Sequence, residues 1–165
     1  MHHNTTEDTE AVFDLNCVAG GEGYWYLASP YSKYPHGIEE AYREICRVSA
    51  WLVLQGVNLY CPIAHTHPIA IHGDIDPYAH QIWLPLDEPF MHGAKGLIVC
   101  MMPTWRDSYG IGVEIETFKR LGKPIMFMPW AEAAKEPEPK EPEPPTKPCP
   151  CHSHDCEVDC DKEAK

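Results

Sequence analysis

Gly96-Leu97-Ile98-Val99-Cys100-Met101-Met102 is a run of seven residues without a polar side chain. It is far too short to span a bilayer, which takes about 18 or more apolar residues. A short continuous apolar run of this kind is the pattern of a strand buried on both faces of a parallel sheet. Working outward, residues 82–92 read as a helix with Pro85 near its start and Asp87 on one face. Further upstream, Tyr24-Trp25-Tyr26-Leu27-Ala28 reads as a buried strand that ends in the loop Ser29-Pro30-Tyr31-Ser32. Ile38, Ala41, Tyr42, Ile45, Val48 and Leu52 recur at helical spacing over 37–55, and Gly56 closes that helix. Residues 57–62 make a second strand, and 63 to about 80, rich in His, Pro, Gly and Asp, read as a loop. Downstream, the spacing predicts a loop over 103–110, a helix over 111–121 and a last strand over 125–128.

Strands and helices therefore alternate. The expected architecture is an α/β doubly wound, Rossmann- or flavodoxin-like parallel sheet of about five strands flanked by helices. Ligands on such sheets bind at the carboxyl ends of the strands. The loops at 29–36, 61–80 and 102–112 all follow strands and should meet at that edge.

Composition divides the chain into four. Residues 1–22 hold few large apolar side chains and are expected to be a disordered N-terminal segment. Residues 23–131 form the domain. Residues 132–148 are a Pro/Glu/Lys-rich linker with polyproline II character, and 149–165 are a Cys/His-rich acidic tail. The formal charge of −12 lies mostly outside the domain, split −5, −2 and −5 over 1–22, 23–131 and 132–165. Such acidity argues against a duplex-DNA binder, which needs a basic footprint. No basic stretch followed by an apolar core opens the sequence, and Cys17, Cys46, Cys61 and Cys100 are scattered as reduced thiols would be; the expected compartment is the cytoplasm.

The chemistry is concentrated in Ser108-Tyr109-Gly110-Ile111-Gly112-Val113-Glu114. Two glycines two apart let a ligand approach the backbone, and a helix N-terminus suits a phosphate or another anion. Glu114 reads as a first-turn residue facing the same crevice. On its own, a first-turn Glu is usually a capping or dipole partner. His65-Thr66-His67, with His72, Asp74 and Asp76 after it, has the composition of a metal cluster. It lacks a Cys-x-x-Cys partner or a helical His pair in the domain, so a structural or substrate-lining role is expected, with His65 in the pocket. Trp83 and Trp105 are suited to stacking on a nucleobase or to core packing, with core packing favoured for Trp83. In the tail, Cys149, Cys151, His152, His154, Cys156 and Cys160 can bind a soft divalent metal, although their spacing is not that of a zinc finger.

Several of these stretches resemble the nucleoside 2-deoxyribosyltransferase superfamily. Tyr26-Leu27-Ala28-Ser29-Pro30 is similar to its opening strand and loop. Trp83-Leu84-Pro85-Leu86-Asp87, followed by Gly93-Ala94-Lys95-Gly96-Leu97-Ile98-Val99, is similar to its Asp-bearing helix and third strand. Ser108-x-Gly110-x-Gly112-x-Glu114 is similar to its 2′-deoxynucleoside 5′-monophosphate N-hydrolase branch, and Gly122-Lys123-Pro124-Ile125 to its closing turn. Residues 62–69 and 105–110 resemble an uncharacterised bacterial and phage branch.

The resemblance covers roughly 24–129 and implies roles. Glu114 would be the nucleophile that attacks the anomeric carbon of a (deoxy)nucleoside or its 5′-monophosphate, Asp87 the acid at the departing base, and Tyr26 a phenol beside the nucleophile. Ser108 and Gly110 would hold a 5′-phosphate. Apart from the resemblance, their places in the loops make Ser29, His65, Trp105, Arg106 and Gly112 expected substrate-site residues. The resemblance implies no cofactor and no membrane, a small-molecule nucleoside or nucleotide partner, and a homodimer or larger homo-oligomer. One departure is Ser32, where the monophosphate hydrolases place an arginine; Arg106 would have to supply that charge, or else pair with Asp107 at the surface. Hydrolysis and transfer stay open. So do a non-catalytic nucleotide-binding or sensing module and a metal-handling protein acting through the tail.

Overall fold

The computed structural model describes residues 11–133. In chain order they form β1 (Ala11–Val12), α1 (Leu15–Val18), β2 (Trp25–Ala28), α2 (Ile38–Leu54), β3 (Leu59–Tyr60), α3 (Pro62–His72), α4 (His80–Gly93), β4 (Gly96–Cys100), a 3-10 turn (Trp105–Asp107), α5 (Tyr109–Arg120), β5 (Ile125–Met128) and α6 (Trp130–Ala133). The strands make one all-parallel sheet in the order β1-β5-β4-β2-β3. This is the expected doubly wound α/β architecture. The order reverses between β2 and β4, and the crevice outside that switch point is where such sheets take ligands.

Side-chain alternation along the central strands builds a core on each face of the sheet. Trp25, Leu27, Ile98 and Cys100 pack with Ala41, Ile45, Val48 and Leu52 of α2. Tyr26, Ala28, Leu97 and Val99 point the other way and pack with Met91 of α4 and Ile111 and Phe118 of α5. Gly96 opens β4 because nothing larger fits: a Cβ there would stand 2.2 Å from Cζ3 of Trp25. Gly56, at φ 81°, turns the chain out of α2 in a left-handed conformation that disfavours other residues.

Three expectations are corrected. Residues 11–22, expected to be disordered, include β1, which pairs with β5 through Ala11↔Met126 and Val12↔Phe127, and α1, whose Val18 is fully buried. Strand addition at a sheet edge works through backbone hydrogen bonds, so a polar composition does not prevent it. Residues 63–80, expected as a loop, contain the three-turn helix α3. Pro62 fits a first helical position, and the Thr66 hydroxyl donates to the Pro62 carbonyl at 2.8 Å. Finally, α4 and α5 each begin two residues earlier than the pattern suggested. The linker and the Cys/His tail, with its metal reading, lie outside the described residues. Among the described residues no helix is long and apolar enough to cross a membrane.

Candidate functional site

Tyr26 stands on β2 with its side chain on the α4/α5 face, and it is fully buried. Its hydroxyl donates to Oε1 of Glu114 at 2.9 Å, while its ring packs against Tyr60 and Phe118, each 5.7 Å away between centroids. Glu114 comes from α5, where Ile111, Glu114, Thr117 and Phe118 form the buried stripe. Because α5 starts at Tyr109, Glu114 lies in its second turn at 3.6 residues per turn, not in the first as the sequence suggested. A capping or helix-dipole role is therefore ruled out by position. The carboxyl takes a place in the stripe where an apolar side chain would ordinarily pack.

That location has an electrostatic consequence. Burial pushes the Glu114 carboxyl up to about 8; the Tyr26 hydrogen bond opposes this, and the charge of Asp87 adds to it. Asp87 projects from α4 and is also buried. Desolvation raises it to about 6, against the Tyr60 hydrogen bond and the neighbouring His65. The Tyr60 hydroxyl donates to Asp87 Oδ1 at 3.0 Å and lies 3.0 Å from His65 Nδ1. Its ring is stacked on Phe90, 4.0 Å apart and nearly coplanar. Buried carboxyls displaced this far upward are common at functional sites.

Both carboxyls line one cavity. The β2–α2 loop adds Ser29, Tyr31 and Ser32; α3 adds Ile63 and Thr66; Tyr78, His80 and Trp83 come from the start of α4 and the loop before it; the start of α5 adds Ser108 and Gly110. The three loop regions expected at the carboxyl edge do meet there. Among the described residues no Lys or Arg lines the cavity. The room inside is about 80 Å³, well above the roughly 10–15 Å³ that admits one water. The hydroxyl of Ser29 is buried and has no hydrogen-bond partner among the described residues. A buried hydroxyl left unpaired costs about 1–3 kcal/mol.

The DUF1937 model, a domain of unknown function, matches residues 23–130. The chain belongs to the DUF1937 family. No curated protein matches it. The DUF1937 match runs from β2 to the first residue of α6, so it contains every residue of the cavity and leaves β1 and α1 outside.

Within the DUF1937 domain, Glu114, Asp87, Ser29, Ser108 and Gly110 line the cavity as expected, and Tyr26 reaches it through Glu114. Ser108 is the N-cap of α5, accepting from the Ile111 N–H at 3.5 Å. Four expected lining residues fall elsewhere. His65 is exposed on α3 and approaches Asp87 only through Tyr60. Trp105 packs on Phe127, and Arg106 lays its guanidinium over the Trp105 ring at 4.3 Å instead of entering the cavity or pairing with Asp107. Gly112 is inside α5, away from the lining. Trp83 packs in the core with Ala70 and Ala79, as expected, and also lines the cavity, its indole N–H donating to the Asp76 carbonyl at 2.9 Å; Trp105 is not part of the lining.

His65 and His67 do not act together. His67 is buried and stacked on Tyr42 at 4.2 Å. Its Nε2 lies 3.1 Å from Glu39 Oε2 and its Nδ1 2.7 Å from the Tyr31 hydroxyl. An ionised carboxylate only accepts, so the neutral ring carries its proton on Nε2 and accepts from Tyr31. Among the described residues no three His, Cys, Asp or Glu side chains are grouped to hold a metal. Sequence reasoning missed Tyr60 and Tyr31. Both flank strand ends, and the only signal was an aromatic residue next to a predicted loop.

Proposed function

We propose that this DUF1937 domain cleaves or exchanges the N-glycosidic bond of a nucleoside through a covalent glycosyl ester on Glu114. The observation that carries this reading is the convergence of Glu114, held by Tyr26, and Asp87, held by Tyr60, in one cavity. A carboxylate oxygen of Glu114 attacks the anomeric carbon as the bond to the base nitrogen breaks, and Asp87 gives its proton to the departing base. Water or a second base then attacks the same carbon from the opposite side, its proton leaving to solvent as the bond to Glu114 breaks. Two inversions give net retention. The unpartnered hydroxyl of Ser29 is suited to a sugar hydroxyl, and Trp83 supplies an aromatic wall.

The charge balance favours an unphosphorylated substrate. Among the described residues two acids and no Lys or Arg line the cavity, and placing a dianion among buried carboxyls is unfavourable without a cationic partner. Arg106, the residue expected to supply that charge, is committed to Trp105.

A second reading has its own support. Glu114 raised to about 8 is protonated at neutral pH, which suits a pocket that binds a nucleoside by hydrogen bonding and does no chemistry. Incubating the protein with a panel of nucleosides and 5′-monophosphates, and following free base by chromatography, separates the two. The glycosidase reading expects base release from at least one nucleoside and a loss of about 10³-fold or more in Glu114→Gln. Thermal stabilisation by a nucleoside without turnover would leave the binding module. Wild type no more active than Glu114→Gln across the whole panel would end the catalytic reading.

A further inference from the structure

The two carboxyls differ in how a proton can reach them. Glu114 and Asp87 are buried alike and open on the same cavity, but Tyr26, the hydrogen-bond donor of Glu114, is itself fully buried and leads no further toward the surface. The donor of Asp87, Tyr60, stands on β3, the edge strand of the sheet, and the next group in the chain of contacts, His65, is exposed. The two steps are equal: 3.0 Å from Asp87 Oδ1 to the Tyr60 hydroxyl, and 3.0 Å from that hydroxyl to His65 Nδ1. Packing alone does not explain this. The Tyr60 ring is already placed by its stack on Phe90, and His65 meets both rings only edge-on.

We propose that His65–Tyr60–Asp87 is a proton relay that recharges the cavity acid from solvent. The inference rests on Asp87 being the acid of the proposed reaction. After the base has left with its proton, Asp87 is a carboxylate accepting from the Tyr60 O–H, and Tyr60 accepts from Nδ1–H of a His65 imidazolium. The phenolic proton passes to Asp87 Oδ1 as the Nδ1 proton passes to the Tyr60 oxygen. Tyr60 is neutral before and after, Asp87 is a carboxylic acid, and His65 is a neutral ring with its remaining proton on Nε2. Water or buffer then returns a proton to Nδ1. No phenolate is formed, in keeping with a Tyr60 hydroxyl that burial and Asp87 hold far above its ordinary range.

The ionisable groups around Asp87 are Tyr60 from β3, His65 from α3, Glu114 from α5 and Tyr26 from β2, with Tyr31, Tyr78 and His80 on the wall of the same cavity. His65, Tyr78 and His80 are exposed, and among the described residues it is His65 that is joined to Asp87 through a hydrogen-bonded group, Tyr60. The relay also accounts for the His-x-His stretch without a metal. Two residues apart on a helix, the two rings leave on different sides; His65 serves Asp87, and His67 holds Tyr31 on the cavity wall.

Two measurements test it. In steady-state assays, His65→Gln keeps a hydrogen-bonding side chain but cannot pass a proton. Turnover should fall about tenfold with KM within about twofold, and added imidazole should restore it, as expected for loss of a proton-transfer group. Full activity of His65→Gln at every buffer concentration, beside an inactive Glu114→Gln, overturns the relay and leaves the glycosidase reading standing. Nitrogen-15 NMR of the imidazoles in the full chain needs no turnover. Above pH 8, where Asp87 is ionised, His65 should be the Nδ1–H tautomer and should revert to Nε2–H in Tyr60→Phe. An Nε2–H tautomer in the wild type overturns the relay whether or not any base is released.

Discussion

The Glu114 and Asp87 sides of the cavity are built from the same chemistry and differ in where the tyrosine behind each carboxyl stands. Each is a buried carboxyl accepting from a tyrosine. Tyr26 lies at the centre of the sheet on β2, whereas Tyr60 lies at its edge on β3. Depth therefore separates the two acids: Glu114 is pushed to about 8 and Asp87 to about 6. The difference teaches that position in a sheet can give one of two buried carboxyls in a single pocket a hydrogen-bonded link to an exposed side chain. It also sets the dominant proton state at neutral pH, with Glu114 protonated and Asp87 ionised. The proposed reaction needs the reverse, so the competent form of the free protein is a minor one, about 1% at pH 7 if the two titrate independently.

The largest effect expected from this comparison is on the pH dependence of kcat/KM. The rate should be flat between about 6 and 8, the values of the two carboxyls, and fall about tenfold per pH unit on either side. In Asp87→Asn the alkaline fall should vanish, leaving a low rate that rises as Glu114 ionises. An alkaline limb that survives in Asp87→Asn would assign the acid to another group.

A smaller effect concerns stability. An unfolded Glu114 ionises near 4.5, whereas the folded one stays protonated to about 8. The folded state binds the extra proton between those values, so this group makes the protein less stable as pH rises through that window. Glu114→Gln, which keeps the shape without the charge, should stabilise the fold at pH 8 by about 1–3 kcal/mol, a few degrees in Tm, and by little at pH 5. Thermal unfolding at the two pH values checks this; equal shifts at both would mean that the buried charge is not the cause.

The smallest expected effect lies outside the comparison. Arg106→Ala removes a guanidinium that covers Trp105 and touches neither carboxyl, so turnover of an unphosphorylated nucleoside should stay within about twofold. A loss of tenfold or more would bring Arg106 back into the site and weaken the case against a phosphate.

Much of the fold was legible because its signals are local. The apolar run of β4 and the helical spacing of α2 need no knowledge of their neighbours. The site was legible in part for the same reason: Ser108 to Glu114 reads as a loop entering a helix from the residues themselves. What could not be read was set by partners remote in sequence. α3 was hidden because a helix covered by α2, β2 and the segment before α4 has no clean polar face, and its His and Pro content reads as loop. β1 was hidden because it is defined by pairing with β5, more than a hundred residues away. Tyr60 drew no attention because its role depends on Asp87, 27 residues downstream.

The sequence by itself determined the alternation of strands and helices, the switch-point architecture that follows from it, and the carboxyl and hydroxyl groups available at the strand ends. Periodicity and capping are properties of neighbouring residues, and those are written in order along the chain. Only the tertiary structure decided that Glu114 is a core position and not a cap, that His65 stands behind Asp87 and not in the cavity, and that Arg106 faces away from it. Each of those depends on burial and on contacts between separate elements, and burial is a property of the packed molecule.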